Sequence, residues 1–132
     1  MPSSVEQLAG EVVAEEFEGW GDEIRQDFVD NAFNYEVGSV LLSETESVKV
    51  WFIRVEPGER LHAHRHVNDY FWTALRAGSS IQHSDDGLTR RVTYSAGQTR
   101  HFKFPGESYL LHDLCNVGDA PIEFITVEHV GP

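Results

Sequence analysis

From Tyr35 onward the chain alternates apolar and polar residues in short runs broken by turn residues, the period-2 pattern of half-buried strands. The runs fall at 35–42, 48–55, 60–66, 70–75, 79–84, 88–94, 99–104, 108–114 and 121–129. Between them stand Pro57-Gly58, Asp86-Gly87, Ala96-Gly97, Pro105-Gly106 and Gly118-Asp119, all turn or breaker signals. The stretch SSIQHSDDGLTRRVTY predicts a hairpin whose Asp86-Gly87 tip takes positive φ. Short strands at this spacing predict an all-β sandwich or barrel.

The first 34 residues follow a different period. Ser3 or Ser4 can cap a short helix, with Glu6 or Gln7 at the capping-box position and Val5, Leu8 and Val12 near one face, although Gly10 interrupts it. A second helix is expected from about Trp20 to Asp30, because Trp20, Ile24 and Phe28 recur every four residues. Charge separates the same two regions. Residues 1–46 hold twelve acidic residues against Arg25 alone, whereas residues 47–132 hold ten acidic and nine basic, so the net −12 lies almost wholly at the front. The expected organisation is therefore an acidic N-terminal arm with short helices, residues 1–34, laid on a β-barrel domain, residues 35–132.

A chain of 132 residues, 40% hydrophobic, can enclose one core without disulfide support. Its one cysteine, Cys115, forms no internal disulfide, and the N-terminus has neither the basic start nor the apolar run of a secretory leader. A cytoplasmic location is expected. An acidic chain without a basic stripe excludes nucleic acid as the expected partner, and no apolar run calls for a membrane. Phosphate loops, G-x-S-x-G and C-x2-C pairs are all missing from the sequence.

The candidate chemistry lies in RLHAHRH. On a regular strand His62, His64 and His66 project from one face, with neighbouring rings roughly 6–7 Å apart. That spacing lets two of them share one ion while the third stands beside it. A further ligand must come from His83, His101, His112 or His129. His112 is the first choice, sharing a strand face with Leu110 and Leu114, and His101 the second. A pH-sensitive or purely structural histidine row is the competing reading. Cys115 alternates away from His112 and reads as packing.

The run Gly58, five residues, His64-Arg65-His66 and then Gly78 resembles the first motif of the cupin superfamily, G-x5-H-x-H-x3,4-E-x6-G. GQTRHFKFPGESYLLHDLCN resembles the second, through Gly97, Pro105, His112 and Asn116, with two extra residues between Gly97 and Pro105. The resemblance covers about residues 36–130. His64, His66, Asp69 and Tyr70 also resemble the H-x-H-x2-D-Y run of small beta-alanine-degradation-type cupins. It implies a double-stranded β-helix, or jelly-roll barrel, with one divalent transition metal held by His64, His66 and His112, and a homodimer. The family's glutamate ligand would fall at position 70 or 71, where this chain has Tyr70 and Phe71.

Three neutral imidazoles would leave the ion's charge uncompensated and its open positions avid for water or an anionic substrate. With Fe(II), the preferred ion, such a site resembles that of cupin thiol and diketone dioxygenases. Zn, Ni, Mn or Cu would suit Lewis-acid lyase or isomerase chemistry, or small-molecule sensing without turnover. The expected ligand is a small organic acid or related metabolite. Tyr70 is a candidate proton donor or acceptor, and Arg60, by strand parity with the histidines, a candidate clamp for a substrate carboxylate. Asp69 could orient a ligand histidine or serve a turn.

Overall fold

The computed structural model describes residues 10–131, so the helix expected from Ser3 or Ser4 lies largely outside the described residues. Within them, Val12 belongs instead to a short strand, β1 (Glu11–Ala14). The remaining elements are α1 (Asp22–Asp30), β2 (Val40–Glu44), β3 (Val48–Val55), β4 (Arg60–His66), β5 (Tyr70–Ala74), β6 (Gly78–His83), β7 (Thr89–Tyr94), β8 (Thr99–Phe102), β9 (Leu110–Asn116) and β10 (Ile122–His129). Each predicted strand from 48 onward is present within two residues at its ends. The first shifts from 35–42 to Val40–Glu44, an edge strand exposed along its whole length.

The strands form two five-stranded antiparallel sheets, β1-β7-β6-β9-β4 and β2-β3-β10-β5-β8, packed face to face. Their facing sides build the core. Ile53, Val55, Ala74, Val92, Tyr94, Leu114, Ile122 and Phe124 form one cluster, and Tyr70, Phe102, Phe104 and Leu110 another, with Trp72 packed against both. The β6–β7 hairpin turns at Gly87, whose φ of 87° needs glycine; a Cβ there would also meet the Phe17 ring at 2.9 Å.

Helix α1 covers the outer face of the first sheet. The helix begins at Asp22, two residues after the expected start, but the stripe packs as predicted: Trp20, just ahead of it, and Phe28 are buried and Ile24 partly so, against Ala63 and Leu111. Trp20 Nε1 also donates to Thr89 Oγ1 at 3.2 Å, so the indole is anchored at both its apolar and its polar end. Asp22 and Glu23 in the first turn complement the helix dipole.

Strand β4 is the outermost strand of its sheet, and its register with β9 slips between Leu61 and His64. Arg60 and Leu61 pair with Cys115 and Leu114, and His64 and His66 with His112 and Leu110. His62 and Ala63 on β4 thus stand opposite Asp113 alone on β9, which is a β-bulge. A bulge reverses which face each residue takes. Leu61, His64 and His66 therefore face the interior, while Arg60 and His62 leave by the outer side.

Candidate metal centre

His64 and His66 from β4 meet His112 from β9 between the two sheets. All three are buried, and one ring nitrogen from each lies within 4.8 Å of the others. Ring centroids are 5.0 Å apart for His64–His66, 4.7 Å for His64–His112 and 5.2 Å for His66–His112. Two distant segments of the chain are brought together because His64 and His112 are direct register partners across the ladder.

Hydrogen bonds fix the tautomers of two rings. His64 Nδ1–H donates to the His62 carbonyl at 2.8 Å, and His112 Nδ1–H donates to Gln82 Oε1 at 2.9 Å. In each the proton sits on Nδ1, so Nε2 keeps its lone pair for a cation. Gln82 is itself held, its amide donating to Tyr94 Oη at 3.0 Å. His66 Nδ1 is buried with no hydrogen-bond partner. A buried polar atom without a partner is costly, and a third inward imidazole with spare donor capacity fits a bound ion.

The electrostatics keep the rings neutral. Burial lowers the pKa of all three, well below the ordinary histidine value for His66 and His112; neighbouring imidazoles push the same way for those two. At His64 the His62 carbonyl and the carboxylates of Asp113 and Asp27 oppose burial without overcoming it. Neutral imidazole is the form that ligates. The donor set suits a divalent transition ion of intermediate softness.

The histidines line a cavity of about 40 Å³, walled mainly by apolar side chains including Ile53, Leu61, Trp72, Val92, Leu114 and Phe124. Tyr70 lines it too. Its ring stacks on His66 at 4.0 Å and 10°, with Phe102 behind at 4.7 Å and 3°. Burial drives its phenol well above the ordinary tyrosine value, helped by Tyr94 and Glu128, so it stays protonated. Of the two residues at the family's glutamate position, Tyr70 is the one that points inward; Phe71 lies against His101 and His129.

Two expected roles change. Arg60 does not face the cavity: its guanidinium is tied at 2.7 Å to Asp27 and at 2.8 Å to Asp113, because the bulge puts it outside. Asp69 Oδ1 accepts from the Phe104 N–H at 2.8 Å, a long-range tie to the loop after β8 in place of a histidine or a local turn contact. His62 is 73% exposed and bonded to Asp27. His101 and His129 are exposed. Gln82 was not singled out by the sequence, although it alternates with Ser80 and Ser84 on a predicted strand. Nothing in the sequence marks the bulge.

A second group, His83, Asp113 and Cys115, lies on the outer side of the same sheet. Asp113 there already accepts from Arg60 Nε and from the His83 N–H at 2.7 Å, and Cys115 lies 4.0 Å away. Burial, then Asp113, pushes the Cys115 thiol up to about 12, in line with a packing role.

No family model matches the chain, and no curated protein does. Among solved structures, a cupin domain from Bordetella pertussis aligns with TM-score 0.60 at 20% identity, covering 74% of this chain and 95% of its own. A double-stranded β-helix protein from Klebsiella pneumoniae aligns with TM-score 0.56 at 20% identity, covering 86% and 92%. An RmlC-like cupin from Methanocaldococcus jannaschii gives 0.55 at 18% identity, over 74% and 85%. No helix among the described residues is long and apolar enough to cross a membrane. The two-sheet barrel that brings His64, His66 and His112 together has the double-stranded β-helix fold of these cupin structures.

Proposed function

We propose that this cupin holds one divalent metal through His64, His66 and His112 and converts a small, largely apolar metabolite in the cavity beside it, in the manner of a dioxygenase. The observation that carries the reading is the convergence of three buried, neutral imidazoles, two with their protons parked on Nδ1 by acceptors. Fe(II) at such a centre would supply oxygen activation and an electrophilic anchor for a chelating substrate.

The protein's own contribution is orientation and exclusion of water. Gln82 and the His62 carbonyl hold two ligand rings, Tyr70 braces the third, and the apolar wall disfavours bulk water. About 40 Å³ admits only a few atoms beyond an ion. The described cavity lining includes no carboxylate, ammonium or guanidinium, and both phenols are raised, Tyr94 to about 12. A lyase or isomerase that needs a side-chain acid or base is less well served, and without Arg60 an organic acid loses its expected clamp. Binding without turnover is the second reading, favoured by the same lack of titratable groups. Val40, Leu41 and Leu42, exposed on edge strand β2, support pairing of two copies.

Metal analysis of tag-free protein, followed by oxygen uptake of the Fe(II)-loaded form over small carboxylates, thiols and diketones, separates these readings. About one ion per chain and substrate-dependent uptake are expected. A stoichiometric ion without uptake would favour a sensor, and no ion at all would remove the metal reading.

A further inference from the structure

The strand that supplies two of the three histidines is the edge of its sheet, and what satisfies its open side is the segment running out of α1. Asp27 Oδ2 accepts from the Ala63 N–H at 2.8 Å. Asn34 Nδ2 donates to the Ala63 carbonyl at 3.1 Å, the Arg65 N–H donates to the Asn34 carbonyl at 2.6 Å, and Arg65 Nε donates to the Ala32 carbonyl at 2.7 Å. Helix and loop stand where another strand would pair. Ala63, fully buried beneath Trp20 and Phe28, is inside the bulge.

Asp27 bonds to both residues of the bulge. Its Oδ1 accepts from His62 Nδ1 at 3.0 Å and from Asn31 Nδ2 at 2.7 Å, while Oδ2 takes Ala63 and the Arg60 guanidinium. The His62 carbonyl, part of that pinned backbone, is the acceptor that keeps the His64 proton on Nδ1. The chain of contacts therefore runs from helix α1 through the bulge to a ligand ring inside the wall. We infer that Asp27 is a positioning residue for the three-histidine centre, holding the β4 bulge so that His64 presents Nε2 to the ion. The inference rests on the metal reading, and part of its test is metal-free so that the two can fail separately.

The test compares Asp27→Asn and Asp27→Ala with Ile24→Ala, which loosens the α1 packing over Ala63 but removes no hydrogen bond to the bulge. In metal-free protein, ¹⁵N shifts of the His64 imidazole report its tautomer directly. Nδ1–H is expected in the parent and in Ile24→Ala, and a mixture of tautomers in the Asp27 variants. With Co(II) titrated against a competing chelator, Asp27→Asn should weaken binding about 10-fold and alter the visible ligand-field spectrum. Ile24→Ala should leave both unchanged despite a lower melting temperature. An unchanged His64 tautomer in folded Asp27→Asn overturns the positioning role, as does a Co(II) affinity that follows only melting temperature across the three variants. Failure of the parent to bind Co(II) or Zn(II), with the tautomer effect intact, would sink the metal reading but leave the bulge coupling standing.

Discussion

A neutral imidazole has one lone pair, and an acceptor for the proton on its other nitrogen decides where that lone pair points. For His112 that acceptor is Gln82, a neutral amide fixed by Tyr94. Gln82→Leu removes it and leaves Nδ1–H buried without a partner; metal affinity should fall about 10-fold in a chelator competition while the fold survives. At His62 the opposite holds. His62→Ala should keep the metal content of the parent, whereas His64→Ala or His112→Ala should lose most of it by elemental analysis. Equal losses at all three positions would show the ligand set to be wrong. Tyr70 separates ring from hydroxyl. Tyr70→Phe should retain metal and any turnover within a few-fold, because the phenol stays protonated and the stack on His66 persists. Tyr70→Ala removes the ring between His66 and Phe102 and should cost about 3–5 kcal/mol in chemical denaturation.

At the scale of the element, strand alternation was legible wherever ladders stay regular. The Leu110, His112, Leu114 face is as expected because β9 runs without interruption on that side. Strand β4 defeats the same logic, since one extra residue between Leu61 and His64 reverses the parity of Arg60 and His62. The motif spacing recovers His64 and His66, but no composition signal reports a bulge fixed by a carboxylate on a distant helix. Strand β1 escaped for another reason: four residues are too few to display a period, and Glu11 is held to the sheet by pairing opposite Arg91 on β7. The clamp on β4 also gives a pH signature. Burial alone would raise the Asp27 carboxyl, but the Ala63 N–H, Arg60 and His62 outweigh it and hold it below its ordinary value. A depressed carboxylate stabilises the fold fully above its unfolded pKa of about 3.9 and loses that contribution as pH falls through the folded value. The melting-temperature gap between the parent and Asp27→Asn should therefore close progressively below roughly pH 4, as the carboxylate takes its proton. A gap that went on widening below about pH 4, where the carboxylate itself protonates, would contradict the clamp.

For the whole molecule, the three imidazoles are a local weakness that a ligand can relieve. Their inward faces bring polar nitrogens into an otherwise apolar interior between two core clusters, and His66 Nδ1 has nothing to bond. An ion bound by the folded chain and not by the unfolded one adds RT ln(1 + [L]/Kd), about 2.7 kcal/mol at a hundredfold excess over Kd. For a chain of 132 residues this corresponds to a rise in Tm of roughly 10 °C. Thermal melts of chelator-stripped protein with Fe(II) under anaerobic conditions, Zn(II) or Ni(II) should show that rise, and EDTA should reverse it. His64→Ala should abolish it, which distinguishes the buried centre from ions gathered loosely by the acidic residues 1–46. Residues 1–46 carry −11 of the net −12 and offer a competing, weaker reservoir. Exposed carboxylates bind through screened charge, so their contribution should disappear in about 0.5 M salt, where the Debye length is only a few ångströms. The contribution from coordination bonds should survive it. A metal-induced rise that salt removes, or that persists in His64→Ala, would place the ions on the surface of the arm and leave the three histidines as a structural cluster.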